Sequence, residues 1–323
     1  MRLTRFWKAG GRVDWVLALG GVLVGFIVGL TGMGGGALMT PMLVLFFGVS
    51  PLAAVSSDLV VSAVMKPFGA AVHLRQGTVN RQLVGWLCLG SVPAAFCGVL
   101  VARALGTGAE VEIVIKTALG IALLVAATGL IVKAYLALVD SAQRRSGSAP
   151  PVGDLTSVVV HPVRTVMVGI LGGLVVGITS VGSGSLIIIA LITLYPALKA
   201  SDLVGTDIVQ AVPLVVSAAI GHLLFGDFQF DVAFSLLIGA IPGVIAGSLV
   251  SSKAPGGIIR RALALILLAS ALKLLDVPNT WTAGILIAVV LTGPPLWMVL
   301  RRRHGFPALH SRDFAARQRP GTD

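Results

Sequence analysis

Two carboxylates and one amine lie within apolar stretches of this chain, at Asp58, Asp207 and Lys66. A charged side chain at the centre of a membrane helix costs about 2.5–3.5 kcal/mol on insertion scales, so such residues usually mark a functional site. Because a buried carboxylate can take up and release a proton, Asp58 and Asp207 predict a proton or coupling-ion role. The alternative, which the residues leave open, is that each aspartate caps backbone amides of a neighbouring helix break.

Lys66 is the residue that would attract an anion. It follows Asp58 by eight residues, about two helical turns, so both side chains face the same side of their helix. The alternative is a water-bridged pair with Asp58 that takes no part in transport. Gln210 follows Asp207 by three residues on the same face, where its amide could donate to an oxyanion.

The composition places these residues in a membrane protein. Of the 323 residues, 56% are hydrophobic and 11% are charged, whereas a soluble domain carries about 25% charged residues. The formal net charge of +11 comes mainly from short loops and chain ends, as in cytoplasmic membrane loops, so nucleic acid is not an expected partner. No nucleotide motif and no metal-ligand spacing occur, so we expect neither cofactor nor metal. The expected partners are the lipid bilayer and a small anion, with a homo-oligomer left open.

The chain also repeats itself. Glycines, a threonine, aspartates and histidines recur 148 to 149 positions apart, as in the pairs Gly29 and Gly177, Asp58 and Asp207, and His73 and His222. A duplicated apolar half with glycine-broken segments at matching places is the sequence pattern of a transporter, and it indicates where the site lies.

The apolar stretches predict an all-α, polytopic bundle of two repeats of about five helices each. The expected helices are 14–30, 36–48, 52–74, 82–103 and 111–137, then 163–180, 184–196, 201–225, 231–251 and 257–275, with an extra span at 279–300. The corresponding units are a basic tail (1–13), the first repeat (14–137), a polar linker (138–162), the second repeat (163–275), the extra span (276–300) and a basic tail (301–323).

The two repeats are expected to run in opposite directions. The short second helix of each half returns the chain to the side where it entered, and three further crossings make each half odd. With the N-terminus outside, the loops containing Arg75, Arg144 and Arg260 lie inside, as the positive-inside tendency requires. The basic N-terminal tail favours the opposite orientation, so the direction of the N-terminus stays open.

Two glycine-rich breaks, at 29–36 and 177–185, interrupt these helices. Each interior glycine costs about 1 kcal/mol of helix stability relative to alanine, and irregular backbone at membrane depth must line a cavity or lie buried in protein. Freed amides at the following helix starts could bind an anion. Close packing through small residues is the structural alternative. The candidate substrate-binding residues are Thr31, Gly34, Gly35, Gly36, Ser57, Lys66, Thr179, Ser180, Ser183, Thr206 and Gln210.

The chain resembles the TauE/SafE sulfite exporter family over about residues 15–275. The resemblance lies in the run Gly-x-x-x-Gly-x-x-Gly-x-Gly-Gly-Gly ending before Pro41, in Ser56-Ser57-Asp58 with its echo Gly205-Thr206-Asp207, and in His73-x-x-x-Gly77 followed by Gly90-x-x-Pro93. It implies transport of sulfite or organosulfur anions across the bacterial inner membrane. Ser56-Ser57 stands where Gly-Thr is usual, so the substrate does not carry over.

The leading hypothesis is therefore a secondary carrier, not an enzyme, with substrate between the two breaks and alternating access by rocking one repeat against the other. One alternative is an intramembrane serine hydrolase that uses Ser183 and His222. The other is an anion channel.

Overall fold

The computed structural model describes residues 13–31, 35–104, 108–145, 159–196, 198, 200–251 and 256–306. These ranges contain eleven α-helices. They are α1 (Trp15–Thr31), α2 (Gly36–Phe46), α3 (Pro51–Arg75), α4 (Arg81–Ala104), α5 (Ala109–Arg145), α6 (Pro162–Thr179), α7 (Leu186–Leu194), α8 (Ala200–Phe225), α9 (Phe230–Ser251), α10 (Gly256–Leu274) and α11 (Asn279–Arg303).

The all-helical, multi-pass architecture predicted from the sequence is confirmed. Within the described ranges, seven helices are long and apolar enough to cross a membrane, namely α3, α4, most of α5, α6, α8, α9 and α11. α2 has 11 residues and α7 has 9, so at 1.5 Å per residue neither can span a hydrocarbon core about 30 Å thick. The second helix of each half therefore ends within the bilayer.

Two helices run further than the sequence indicated. α5 continues to Arg145, eight residues past its expected end, into the stretch taken as linker. The sequence offers no glycine or proline there before Gly147, and alanine, leucine and arginine sustain a helix beyond the apolar span. α11 likewise continues through Arg303, three residues into the expected basic tail.

The first helix of each half packs along the fourth helix of the other half. Gly21, Gly25 and Gly29 of α1 lie against Leu236, Ala240 and Val244 of α9, so the two helices run parallel. Gly169, Gly173 and Gly177 of α6 lie in the same way against Leu87, Ser91 and Ala95 of α4. The Cβ of an alanine at Gly25 would be 2.4 Å from the carbonyl oxygen of Ala240, so these two glycine seams depend on the absence of a side chain.

α3 and α8 cross at the middle of the bundle and run antiparallel. Gly69 of α3 lies beside Ile208, whereas Gly205 lies beside His73, nearer the end of α3. One apolar core joins residues of α1, α2, α5, α9 and α10, and a second joins residues of α4, α7 and α8, with α3 contributing to both. α11 packs on α10 and exposes most of its apolar surface, as a helix facing lipid would.

The seam glycines generate a stability prediction within one helix. Gly90→Ala would place a Cβ 2.3 Å from the carbonyl oxygen of Val166, whereas Gly85→Ala meets no atom within 4 Å. We expect Gly90→Ala to cost about 1–3 kcal/mol through overpacking and to lower the thermal midpoint in detergent by several degrees. The matched Gly85→Ala should leave the midpoint unchanged or raise it, and equal effects of the two would contradict the close packing of α4 on α6.

Candidate functional site

The two glycine-rich breaks meet at the centre of the molecule. Ser180, which ends α6, adopts a left-handed conformation with φ of 60°. A Cβ on Gly36, the first residue of α2, would lie 2.0 Å from the carbonyl oxygen of Ser180. The N-terminus of α2 therefore packs directly against the C-terminus of α6, the helix that precedes α7.

Asp58 is enclosed at this meeting point. Its carboxylate is fully buried, and Oδ2 accepts hydrogen bonds from Thr40 Oγ1 and Ser180 Oγ, each at 2.7 Å. Ser62 Oγ donates a longer bond of 3.4 Å to Oδ1. One carboxylate thus joins α3 to α2 and to the break after α6. Both of its oxygens have donors, as a buried polar group requires.

A cavity of about 810 Å³ begins beside this cluster. Five of the residues singled out from the sequence line it: Thr31, Gly35, Lys66, Ser183 and Asp207. Along α3 its wall passes from the buried Ser62 to Phe68 and Val72, which are 61% and 52% exposed. The cavity therefore opens toward the end of α3 that carries Arg75.

Lys66 lies at the inner part of this cavity. Its ammonium group donates a hydrogen bond to Ser183 Oγ, in the second break. Both Asp58 and Asp207 are within electrostatic range of the ammonium. The lysine is half-buried and lines the cavity, so its charge is available to a ligand that enters from the mouth.

Asp207 is held less completely than Asp58. Gln210 Nε2 donates to Oδ1 at 3.0 Å, and Ser91 Oγ fixes that amide by donating to Gln210 Oε1 at 3.1 Å. The Gly184 backbone lies close to the carboxylate, but no hydrogen bond of ordinary geometry reaches the buried Oδ2 within the described part of the chain. Asp207 therefore brings an incompletely satisfied carboxylate to the cavity.

The repeat explains why the two aspartates differ. Two of the hydroxyl donors to Asp58, Thr40 and Ser62, correspond to Ile188 and Ala211 in the second half, which cannot donate. These two hydroxyl donors therefore have no equivalents around Asp207. Lys66 corresponds to Val215, so the cation too is present in one half only.

The remaining candidate residues that the structure describes do not line the cavity. Thr179 bonds to backbone of its own break, and Thr206 Oγ1 accepts from the Asn80 amide at 3.0 Å. Ser57 is buried, and its hydroxyl has no hydrogen-bond partner among the described residues. Gly36, Ser180 and Gln210 support the aspartates and do not line the cavity. Gly34 lies outside the described residues.

The structure does not bring Ser183 and His222 together, as a serine hydrolase would require. Ser183 bonds to Lys66, whereas His222 bonds to Ser56 Oγ through Nδ1 at 2.8 Å and to the Gly177 carbonyl through Nε2 at 2.9 Å. A carbonyl can only accept, so His222 Nε2 carries a proton. The Ser56 hydroxyl has one proton, and it lies at 2.8 Å from both the Leu52 carbonyl and His222 Nδ1.

Sequence reasoning missed several residues of the site. Ser62 lies four residues from both Asp58 and Lys66, and this helical spacing could have placed it on their face. Thr40 gave no such signal. Lys133 of α5 is half-buried and lies within electrostatic range of Asp207, although the two residues are 74 positions apart in the chain. Within the described ranges, no group of three His, Cys, Asp or Glu side chains could hold a metal ion.

The unequal aspartates should differ in their contribution to stability. Asp58→Ala leaves two buried hydroxyls without their acceptor, at about 1–3 kcal/mol each, so we expect a large fall in thermal midpoint in detergent. Asp58→Asn keeps an oxygen for both donors and should lose much less. Asp207→Ala leaves one buried donor, Gln210 Nε2, without its acceptor and should lower the midpoint less than Asp58→Ala. Equal losses for the two alanine variants would contradict the assignment.

Comparison with known proteins agrees with this architecture. The family model described as "Sulfite exporter TauE/SafE" matches residues 17–274. The probable membrane transporter protein YjnA of Bacillus subtilis (strain 168) is 40% identical over 260 residues, which are 80% of this chain and 98% of that protein. The probable membrane transporter protein YdhB of the same organism is 24% identical over 241 residues, which are 75% of this chain and 91% of that protein.

No solved structure matches the chain. The family match covers most of the chain and includes both breaks, the two aspartates and Lys66. The chain therefore belongs to the TauE/SafE family of membrane transporters.

Proposed function

We propose that this protein is a secondary carrier that moves small anions, sulfite or organosulfonates, across the bacterial cytoplasmic membrane. The observation that carries the proposal is Lys66, a cation at membrane depth that lines a large cavity and reaches the second break through Ser183. The ammonium lies within electrostatic range of Asp58 and Asp207, and an anion that enters the cavity would compete with these carboxylates for it. The family name of sulfite exporters supports the choice of sulfur anions.

Asp207 supplies a route for coupling. While it is ionised, its charge neutralises Lys66 and competes with an incoming anion. A proton bound at Asp207 would cancel that charge, so that of the two carboxylates only Asp58 would still compete with the substrate for the ammonium. Anion and proton would then load together, and the loss of either would favour the loss of the other, which is the coupling that a symporter needs.

Alternating access is supported by comparing the two ends of the bundle. Phe68 and Ile241 face each other across the open cavity, and their repeat-mates are Ser217 and Val92. Those mates are joined, because Ser217 Oγ donates to the Val92 carbonyl at 2.8 Å. Only a hollow of about 310 Å³ remains beside them. The contact between Ser217 and Val92 is thus closed, whereas the equivalent positions Phe68 and Ile241 are separated by the cavity.

The two equivalent histidines, His222 and His73, also differ between the closed and the open side. His222 is fully buried and its Nε2 donates to the Gly177 carbonyl, which fastens α8 to α6. Its mate His73 lines the cavity, as does Gly29, the mate of Gly177. In the proposed outward-facing state the two ends exchange, so that His73 bonds the Gly29 carbonyl and His222 releases Gly177. The parallel packing of α1 on α9 and of α6 on α4 supports the inverted repeat that such an exchange requires.

Uptake of labelled sulfite or a simple sulfonate into proteoliposomes tests the carrier. Lys66→Ala should lower kcat/KM at least about 30-fold, because a buried charge contact contributes about 2 kcal/mol or more. The control is Lys116→Ala, which removes a lysine paired at 2.5 Å with the exposed Asp276 and should transport normally. Asp207→Asn should make uptake insensitive to a pH gradient, whereas Asp58→Asn should remain sensitive.

The same vesicles separate the alternatives. A carrier exchanges labelled for unlabelled anion and saturates, whereas a channel conducts in proportion to the driving force. Ser183→Ala removes one of several donors around Lys66 and should weaken transport a few-fold, whereas a serine hydrolase would lose all activity. Normal transport by Lys66→Ala would remove the basis of the proposal.

Two cysteine pairs test the exchange of ends in a chain from which Cys88 and Cys97 have been removed. Val92→Cys with Ser217→Cys should cross-link in the state described here and stop transport until a reductant is added. Phe68→Cys with Ile241→Cys lies across the open cavity and should cross-link only when the carrier faces outward. Full transport by protein cross-linked at the first pair would exclude the proposed cycle.

A further inference from the structure

The cavity is amphipathic along its length. Its charged groups lie at the inner part, where Lys66, Ser183 and Asp207 meet. His73, Gln76 and Ser248 also line the cavity, but apolar side chains of three helices make up most of the wall between Lys66 and the mouth. They are Phe68 and Val72 of α3, Ile208 of α8, and Ile241 and Ile245 of α9.

The volume exceeds what an inorganic oxyanion needs. Sulfite has four heavy atoms and displaces roughly two waters, about 60 Å³, against a cavity of about 810 Å³. Pockets of this size, with mainly apolar walls and a few convergent polar groups, are typical of organic ligands. Most of this space would hold only water if sulfite were the substrate.

The walls also fit an apolar body better than a bare ion. Among the described lining residues, Lys66 is the one lysine or arginine, so an oxyanion on its way to Lys66 meets no second cation and a mainly apolar wall. A ligand whose head reaches Lys66 would lay its body against Phe68 and Val72. The six residues from Lys66 to Val72 span about 9 Å of helix, the length of an extended chain of about six to eight carbons.

We infer that the substrate is an amphipathic organic anion, a sulfonate that carries an apolar body of several carbons, and not sulfite or taurine. This inference rests on the proposed function, because the head of the ligand is placed at Lys66. The head would bind the ammonium and the Ser183 hydroxyl, and the body would displace water from the walls between α3 and α9.

Competition by a homologous series tests the inference. Methane-, butane-, hexane- and octanesulfonate are titrated against uptake in proteoliposomes, and their binding to purified protein in detergent is measured by thermal shift. Each added methylene should raise affinity about three- to fourfold, the equivalent of about 0.8 kcal/mol, until the cavity is filled. Sulfite and taurine should compete at least 100-fold more weakly than hexanesulfonate. An alkylammonium of equal length partitions into lipid but lacks the anionic head, and it should not compete.

A pair of variants on one helix locates the effect. Ile241 lines the cavity and Ile238 does not, although both side chains are 37% exposed. Ile241→Ser should reduce the gain per methylene and leave methanesulfonate binding unchanged, whereas Ile238→Ser should change neither.

The outcomes distinguish the two proposals. Sulfite binding as tightly as hexanesulfonate, with both lost in Lys66→Ala, would overturn the amphipathic substrate and leave the anion carrier standing. Gains with chain length that persist in Lys66→Ala and in Ile241→Ser would show partition into lipid and would also overturn it. If no anion bound or moved, the proposed function itself would fail.

Discussion

Asp58 has no access to water, so both of its oxygens must find donors inside the protein, and this constraint decides how the two halves of the chain meet. The donors come from α2 and from the residue after α6, so one carboxylate fixes the start of one half-helix against the end of the opposite break. The contact of Gly36 with the Ser180 carbonyl follows from that closeness. With the breaks held there, Ser183 comes within reach of Lys66 and the cavity acquires its inner end.

The two halves share the same helix packing but differ in the polar and charged side chains at equivalent positions. Matching glycines give the same seams on both sides, but the hydroxyls around Asp58 have no counterparts around Asp207, and Lys66 has none at Val215. Asp58 has donors for both of its oxygens, whereas Asp207 lines the cavity with a carboxylate whose buried Oδ2 lacks a hydrogen-bond partner among the described residues. In the proposed cycle, the repeated backbone would supply the two states, while the cation of Lys66 is present in the first half and not at Val215 of the second.

Much of this was predictable from the sequence for identifiable reasons. Helix bounds follow from apolar length and from breakers such as the glycines before α2, and the charged site follows from the rarity of charge in lipid. The difference in hydrogen bonding between the two aspartates was not predictable. It depends on Ser180, 122 positions from Asp58, and on the packing of each first helix against a helix of the other half. Contacts between residues so far apart in the chain leave no local spacing pattern in the sequence. α5 extends to Arg145 because residues with high helix propensity continue beyond the end of the apolar stretch.

The glycine seams also bear on which parts could move in the proposed cycle. Backbone atoms of α1 and α9, and of α6 and α4, approach so closely that neither pair can slide without losing its packing. Each pair contains one helix of each half, so the rigid units would cross the repeat boundary and the halves would not rock as wholes. Between them, α3 and α8 remain in contact at Gly69 and Ile208. If the α1–α9 pair closes on α3, access to Lys66 from the mouth is lost. A matching path on the other side can open only if the α4–α6 pair leaves α8, which requires the Ser217 and His222 hydrogen bonds to break.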